Sequence, residues 1–211
     1  MVAGRLSVAT TVLLTLTLLI LSTKSWGGLQ TSVVKYQNSK INYQDIEKLS
    51  QFDEYVQYFS SFSYFLPRHK VSADFVRALI LAESGANPRA VSGKNARVLG
   101  QILFTTGVLA GKELAKSQTF FRHVSKHTLN NLKEEDLFDP AVNILLTCYL
   151  IAKYNYRFDG RLDLVVSAWN AGENTDSLSL MKHAPYQETE DLIGKINAYY
   201  IYLLKTRIFK K

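Results

Sequence analysis

Apolar residues recur at helical spacing in several segments of the chain, and the alternation typical of strands is nearly absent. Between Tyr43 and Phe65 the apolar positions lie three or four residues apart, which predicts a helical segment that ends before Pro67. Ser72 or Asp74 can cap a second helix that runs to about residue 84. Further helices are predicted from near residue 99, over residues 139–156, over 161–171 and over 188–207. The pattern predicts a mainly α-helical fold, with room for a small β element after the loop that follows residue 84.

The N-terminal residues have the composition of an export signal. Residues 1–5 are short and basic, residues 6–21 are apolar and uncharged, and residues 22–28 are mostly small or polar. An apolar stretch of about sixteen residues is short for a full membrane span. We therefore expect a signal peptide or membrane anchor at residues 1–27, a linker and N-terminal helical extension at 28–70, and the main domain at 71–211.

Composition and charge narrow the classes of function. The formal net charge of +7 is scattered along the chain, which suits simple solubility or an anionic partner such as a cell-wall polymer or a lipid surface. No basic recognition helix and no zinc-ligand spacing occurs, so we expect no nucleic acid partner, no metal and no cofactor. The single cysteine, Cys148, excludes an intramolecular disulfide and is expected to be a buried, inert thiol.

One acidic residue, Glu83, ends the helix predicted before residue 85. Phe75 and Leu79 precede it at intervals of four, so Glu83 extends an apolar helical face. Partial burial there would raise the pKa of its carboxyl and let it donate a proton to a leaving oxygen near neutral pH. The spacing alone is equally compatible with an exposed glutamate at a helix end.

A long loop follows Glu83 and continues to Gln101. Gly85 and Pro88 break the helix and allow the backbone to approach a ligand closely. Uncharged donors and acceptors come from Asn87, Ser92 and Asn95. Such a loop can bind a neutral ligand rich in hydroxyl and amide groups, such as a sugar, or can simply satisfy its own backbone.

Three motifs in this order resemble those of the SLT-type lytic transglycosylase family, which has a goose-lysozyme-like fold. The first family pattern is approximately E-S-G-x-N-P-x-A-x-S followed by A-x-G-L-M-Q-I. The second is P-x-x-N-I-x-x-G-x-x-Y-L, and the third is A-A-Y-N-A-G. The matching residues here are Glu83-Ser84-Gly85, Asn87-Pro88, Ala90-Val91-Ser92, Ala96, Leu99 and Gln101-Ile102, then Pro140, Asn143-Ile144 and Tyr149, then Ser167 to Gly172.

The resemblance implies a lysozyme-like (SLT) helical domain and an exported enzyme that acts on peptidoglycan glycan strands. Glu83 would be the catalytic acid/base for non-hydrolytic cleavage of the MurNAc–GlcNAc β-1,4 bond to 1,6-anhydromuramyl ends. Ser92 and Gln101 would contact the glycan or orient the reacting centre. The implied substrate-binding set is completed by Tyr149, Trp169 and Asn170. From the residues alone, Trp169 and Tyr149 could instead be core residues, and Asn170 a helix C-cap.

Several positions depart from the family pattern. Val98 and Gly100 replace the glycine and methionine of G-L-M-Q, and Thr147 replaces the glycine of the second motif. Trp169 replaces a tyrosine, and Leu192 stands where an E-T-x-x-Y motif has its tyrosine. The resemblance implies that this tyrosine helps to hold the catalytic glutamate in position. Other tyrosines that could reach the same space are Tyr186, Tyr199 and Tyr200.

These departures leave two alternative functions open. One is a catalytically impaired, peptidoglycan-binding scaffold of the same fold, and the other is a hydrolysing, lysozyme-like muramidase. Location is expected in the periplasm or cell envelope, with anchoring to the inner membrane through the N-terminus left open. A secretion or phage apparatus is a further candidate partner.

Overall fold

The computed structural model describes residues 28–67, 70–91, 93, 96 and 98–209, so the signal or anchor expected at residues 1–27 lies outside it. The helices are α1 (residues 28–36), α2 (Tyr43–Ser50), α3 (Asp53–Ser60), α4 (Ala73–Ser84), α5 (Phe104–Lys116), α6 (Lys126–Asn130), α7 (Pro140–Arg157), α8 (Leu162–Ala171), α9 (Asp176–Ser179) and α10 (Gln187–Thr206). A 3-10 helix at Glu135–Phe138 precedes α7. None of the described helices is long and apolar enough to span a membrane.

The mainly α-helical prediction is confirmed. The described residues contain no strand, and the β element expected after the loop is reduced to single bridge positions at Val91 and Ile102. Four of the predicted helices, those before residue 85, after 139, after 161 and after 187, lie within a few residues of their expected bounds. Their local signals, apolar periodicity with a capping residue at the start, therefore agree with the tertiary fold.

Helix α7 runs through the centre of the molecule and is buried along most of its length. Its start follows from sequence, because Asp139 Oδ1 accepts a hydrogen bond from the Ala141 N–H at 2.8 Å and Pro140 occupies the first turn. The helix packs against α3, α5 and α8. Cys148 lies fully buried on it, and burial raises the pKa of the thiol, which confirms the expectation of an inert cysteine.

Helices α4 and α10 pack along each other and carry the candidate site at one end of their contact. The start of α4 is capped by Ser72, whose Oγ accepts a hydrogen bond from the Phe75 N–H at 3.4 Å. It ends at Gly85, which adopts the left-handed conformation with a φ of 58°. Because the helix stops there, Glu83 is held in its last turn, where the chain turns away.

The N-terminal extension differs from the sequence expectation in two ways. Residues 28–36 are helical where a linker was predicted, because α1 packs closely on α10: a Cβ on Gly194 would lie 2.6 Å from the Ser32 carbonyl oxygen. The segment predicted as one helix from Tyr43 is two helices, α2 and α3. The break between them turns Asp53 toward Arg77, whose Nε donates a hydrogen bond to Asp53 Oδ1 at 2.7 Å.

Candidate functional site

Glu83 lies partly buried in the last turn of α4, facing α8 and α10. Burial raises the pKa of its carboxyl from 4.5 to about 7, since a charged carboxylate is poorly solvated there. An interaction with the Trp169 side chain and the positive charge of Lys195 act in the opposite direction, and the negative charge of Glu188 adds to the increase. Of the two alternatives that the spacing left open, the structure therefore places Glu83 in the partly buried one.

A groove of about 720 Å³ opens near this end of α4, although Glu83 itself is not among the residues that line it. Trp169 connects the two features, because it lines the groove and also interacts with Glu83. The walls come from the segment before α5, from α5 and α7, and from the end of α8 with the turn that follows it. Polar lining residues include Gln101, Thr106, Glu113, Lys153, Asn170, Glu173, Asn174 and Thr175. The groove can therefore offer uncharged hydrogen-bonding groups near Glu83.

Gln101 braces the loop that follows α4 and also lines the groove. Its Nε2 donates hydrogen bonds to the carbonyl oxygens of Val98 at 2.8 Å and Ala90 at 3.3 Å. Val98 and Gln101 both have positive φ, 63° and 52°, so the chain turns sharply and the helix predicted from residue 99 begins only at Phe104. Ser92, the other loop residue predicted to bind substrate, lies outside the described residues.

Buried polar groups tie this loop to the rest of the fold. Ser84 Oγ donates a hydrogen bond to the Leu99 carbonyl oxygen at 2.8 Å, which closes the loop onto the end of α4. Asn143 on α7 is fully buried, and its Oδ1 accepts a hydrogen bond from the Gly100 N–H at 2.9 Å. The Asn143 amide nitrogen donates to the Leu137 carbonyl oxygen at 3.1 Å. The asparagine of the second motif therefore holds the loop that carries Gln101.

Two departures from the family pattern offset each other in space. A Cβ on Gly100 would lie 2.3 Å from the Oγ1 of Thr147, which is too close for two non-bonded atoms. It would lie 3.5 Å from the Thr147 Cβ, which is an ordinary contact distance. The family pattern has a large residue at the loop position and glycine on the helix, and this chain has the reverse. The hydroxyl of Thr147 is buried without a hydrogen-bond partner among the described residues, so it mainly fills the space that Gly100 leaves.

We expect Gly100→Ala to destabilise the protein by about 1–3 kcal/mol, the usual cost of overpacking a core. Combining it with Thr147→Ala removes the clashing oxygen and should recover most of that loss. Urea unfolding of the wild type, both single variants and the double variant measures the coupling free energy. Additive effects of the two substitutions would show that the two positions do not compensate each other.

Trp169 and Asn170 end α8 beside the groove. Trp169 is partly buried and packs against the core, so it combines a packing role with a groove-lining face. Asn170 Oδ1 accepts a hydrogen bond from the Thr189 Oγ1 at 2.6 Å, which joins α8 to α10. The C-cap that Asn170 might have supplied is provided by Gly172, whose N–H donates to the Ala168 carbonyl oxygen at 3.2 Å.

Tyr149 is not among the residues that line the groove, and the expectation for it needs correction. It is 8% exposed, its ring packs against Tyr64 and Phe65, and its hydroxyl donates a hydrogen bond to Glu113 Oε2 at 2.7 Å. The next residue, Leu150, lines the groove instead. Counted from the asparagine of the second motif, the family tyrosine falls on Leu150. One residue turns a helix by about 100°, which separates the two faces.

The sequence did not single out a charged cluster that lines part of the groove. Lys153 Nζ lies 3.3 Å from Glu113 Oε1 and 3.5 Å from Glu173 Oε1. Arg157 adds a second cation, 3.1 Å from Glu173 Oε2. These residues come from α5, α7 and the turn after α8, and no short-range pattern relates them. Only the packing of those elements brings them together.

The three tyrosines considered as substitutes for Leu192 take other positions. Tyr186 is 54% exposed, and the Tyr200 hydroxyl lies 3.3 Å from Ser72 Oγ, at the opposite end of α4 from Glu83. Tyr199 has its ring centroid 5.7 Å from the ammonium of Lys195. Lys195 lies on α10, and its positive charge lowers the pKa of Glu83. The sequence did not indicate this residue.

No group of three or more His, Cys, Asp or Glu side chains in the described part of the chain is arranged to bind a metal ion. The groups that the structure brings together at the site are Glu83, its charged neighbours on α10 and Trp169 at the edge of the polar groove. A single carboxyl with a pKa near 7 can donate a proton and accept one in the same reaction at neutral pH.

Comparisons with known proteins agree with this geometry. A protein of Haemophilus influenzae described as a soluble lytic murein transglycosylase is 29% identical over 160 residues, which is 70% of this chain and 24% of that protein. The crystal structure of the 70 kDa soluble lytic transglycosylase Slt70 from Escherichia coli superposes with a TM-score of 0.54 at 18% identity, covering 74% of this chain and 24% of that one.

A second structure, a complex of the 70-kDa soluble lytic transglycosylase with bulgecin A, gives a TM-score of 0.54 at 19% identity, with the same coverage of 74% and 24%. The chain thus spans about a quarter of the length of these relatives, and the structural likeness supports the lysozyme-like helical fold. The family described as transglycosylase SLT domain matches residues 63–189, which is more than half of the sequence. This chain belongs to the transglycosylase SLT domain family.

Proposed function

We propose that this protein is a peptidoglycan lytic transglycosylase that cleaves the β-1,4 bond between N-acetylmuramyl and N-acetylglucosaminyl residues without consuming water. The observation that carries the proposal is Glu83 itself, partly buried, with a pKa of about 7, and connected to a polar groove through Trp169. The names of the Haemophilus and Escherichia relatives, both lytic transglycosylases, support the same reaction class.

In the proposed mechanism Glu83 acts first as an acid and then as a base. Its proton passes to the glycosidic oxygen as the bond from that oxygen to C1 of the muramyl residue breaks. The resulting carboxylate accepts the proton of the muramyl 6-hydroxyl as O6 forms a new bond to C1. Glu83 is thereby reprotonated, the products are a free 4-hydroxyl and a 1,6-anhydromuramyl end, and no water is consumed.

A single carboxylic acid suffices for this reaction, whereas most hydrolysing glycosidases use two. Glu173, a carboxylate that lines the groove, is paired with Lys153 and Arg157. Glu188 lies near Glu83 and raises its pKa, which favours the protonated form that an acid needs. We assign Trp169 and Asn170 to sugar contacts, Gln101 to shaping the loop beside the reacting centre, and Ser92 to the glycan-binding loop.

Mass spectrometry of purified peptidoglycan incubated with the protein tests the proposal. Anhydromuropeptides, lighter by one water than hydrolysis products and missing with Glu83→Gln, would support it. Reducing-end products would indicate a muramidase and would make Glu188 the first candidate for activating water. If no product forms but the protein still binds the cell wall, the chain acts as a scaffold, and the proposal fails.

The pKa of Glu83 predicts a falling alkaline limb in the pH profile. The acid must be protonated to donate, so kcat should fall about tenfold per pH unit once the pH rises above about 7. Initial rates of release of soluble muropeptides between pH 5 and pH 9 measure this limb. Substrate solubility should be followed in parallel without enzyme. A rate that stays constant up to pH 9 would contradict the assignment of Glu83 as the acid.

Murein is a polymer outside the cytoplasmic membrane, so the proposed substrate requires export of the chain. The composition of residues 1–27 supports a signal peptide or an anchor there. We propose that residues 71–211 form the catalytic domain and that residues 28–70 extend it, with α1 docked on α10 through Ser32 and Lys35, both hydrogen-bonded to Asp191. We also propose anchoring to the inner membrane through the N-terminus, and a secretion or phage apparatus as a partner.

A further inference from the structure

Lys195 holds the end of the helix that carries Glu83. Its Nζ donates a hydrogen bond to the carbonyl oxygen of Ala82 at 2.8 Å, and Ala82 immediately precedes Glu83. The last four carbonyl groups of a helix have no partner within it, and the C-terminal end carries partial negative charge. A lysine from a neighbouring helix therefore satisfies one of these carbonyls and fixes the last turn of α4 against α10.

The charged groups that act on the Glu83 carboxyl both come from α10. Lys195 and Glu188 belong to α10, and their charges act on the Glu83 carboxyl in opposite directions. Asp45 on α2 faces Lys195 as well, and its own Oδ1 is 2.9 Å from the Lys48 ammonium. Burial lowers the pKa of Lys195, and the charges of Glu83 and Asp45 oppose that decrease. Among the described residues, Lys195 is therefore the cation whose charge stabilises the carboxylate form of Glu83.

Lys195 lies close to the position where the E-T-x-x-Y motif has its tyrosine. Leu192 stands at that position and packs against the core. Lys195 follows three residues later, which is nearly one turn, so both side chains lie on the same side of α10. Tyr186 is exposed and Tyr200 reaches the other end of α4, so neither of these two replaces the missing tyrosine. The ring of Tyr199 lies beside the Lys195 ammonium.

We propose that Lys195 is the positioning residue for Glu83. It fixes the backbone of the last turn of α4, which carries Glu83. It also provides the positive charge that stabilises the carboxylate left after Glu83 has given up its proton. The inference rests on the proposed function, because it assigns Lys195 a role in the acid/base cycle of Glu83. Lys195 is not one of the residues assigned to sugar contacts, and its hydrogen bond goes to the backbone of α4, so it should influence turnover and not substrate affinity.

The kinetic test compares Lys195→Met with Lys195→Arg in the full-length protein. We expect Lys195→Met to lower kcat about tenfold with KM unchanged and to shift the alkaline limb of the kcat profile to higher pH, since loss of a nearby cation favours the protonated carboxyl. Lys195→Arg keeps the charge and the hydrogen bond, so its kcat and its alkaline limb should lie close to those of the wild type. Lys205→Met, at an exposed position near the end of α10, is the matched control and should leave the profile unchanged.

A readout without substrate separates this proposal from the proposed function. Carbon-13 NMR of protein labelled at the glutamate carboxyls follows the titration of Glu83, with Glu83→Gln identifying its signal. An upward shift of that titration in Lys195→Met supports the proposal even if peptidoglycan is not cleaved. An unchanged titration and an unchanged alkaline limb in Lys195→Met overturn it, whatever the activity of the wild type. A fall in kcat that Lys195→Arg does not reverse also overturns it.

Discussion

Glu83→Gln should lower turnover on peptidoglycan by about a thousandfold, within the range that a general acid contributes. Glutamine has nearly the same shape as glutamic acid, so the groove and the contacts around Trp169 should persist. Its amide can neither protonate the glycosidic oxygen nor accept the proton of the 6-hydroxyl. The rate of anhydromuropeptide formation, measured by mass spectrometry below pH 7, is the readout.

The stability of the same variant distinguishes loss of chemistry from loss of fold. The folded-state pKa of Glu83, about 7, lies above its ordinary value of 4.5, so ionisation of this group favours the unfolded chain. Its contribution to stability is therefore lost progressively between about pH 4.5 and pH 7. Glu83→Gln should have a higher Tm than the wild type at pH 8 and a similar Tm at pH 4. A Tm that falls at both pH values would attribute the lost activity to misfolding.

Arg77→Met should reduce the free energy of unfolding by about 3–5 kcal/mol, the usual effect of removing one member of a buried ion cluster. Arg77 is 3% exposed, with its Nε 2.7 Å from Asp53 Oδ1 and its Nη1 2.6 Å from Asp74 Oδ1. Its guanidinium also lies 4.7 Å from the ring centroid of Phe209. Methionine fills part of the volume but leaves two largely buried carboxylates without their cation. Urea unfolding at neutral pH measures the loss.

A matched substitution at an exposed ion pair provides the control. Lys35→Met removes the cation that lies 3.1 Å from Asp191, at a site open to solvent, and should cost much less stability than Arg77→Met. Similar losses for Arg77→Met and Lys35→Met would show that the Arg77 cluster contributes no more than a surface pair.

Elements with local signals were predictable. The Asp139-Pro140 start of α7 and the Ser72 cap of α4 depend on residues within a few positions of each other, so their geometry follows from sequence. The apolar residues four and eight positions before Glu83 left its partial burial and its exposure equally open, and the packing of α8 and α10 decided between them. Where the helix pattern was less clear, as in residues 28–36, packing against α10 decided the structure.

The sequence by itself determined the helical class and the end of α4 at Gly85, because caps, breakers and periodicity act over one or two turns. The motifs that resemble the family indicated Glu83 as the candidate acid. Only the tertiary structure decided which groups surround that acid. The positive φ of Gln101, the complementarity of Gly100 with Thr147, and the reach of Lys195 to Ala82 all depend on segments distant in the chain. Such contacts form only when the helices pack. The charges and volumes that meet there therefore produce no periodic pattern in the sequence.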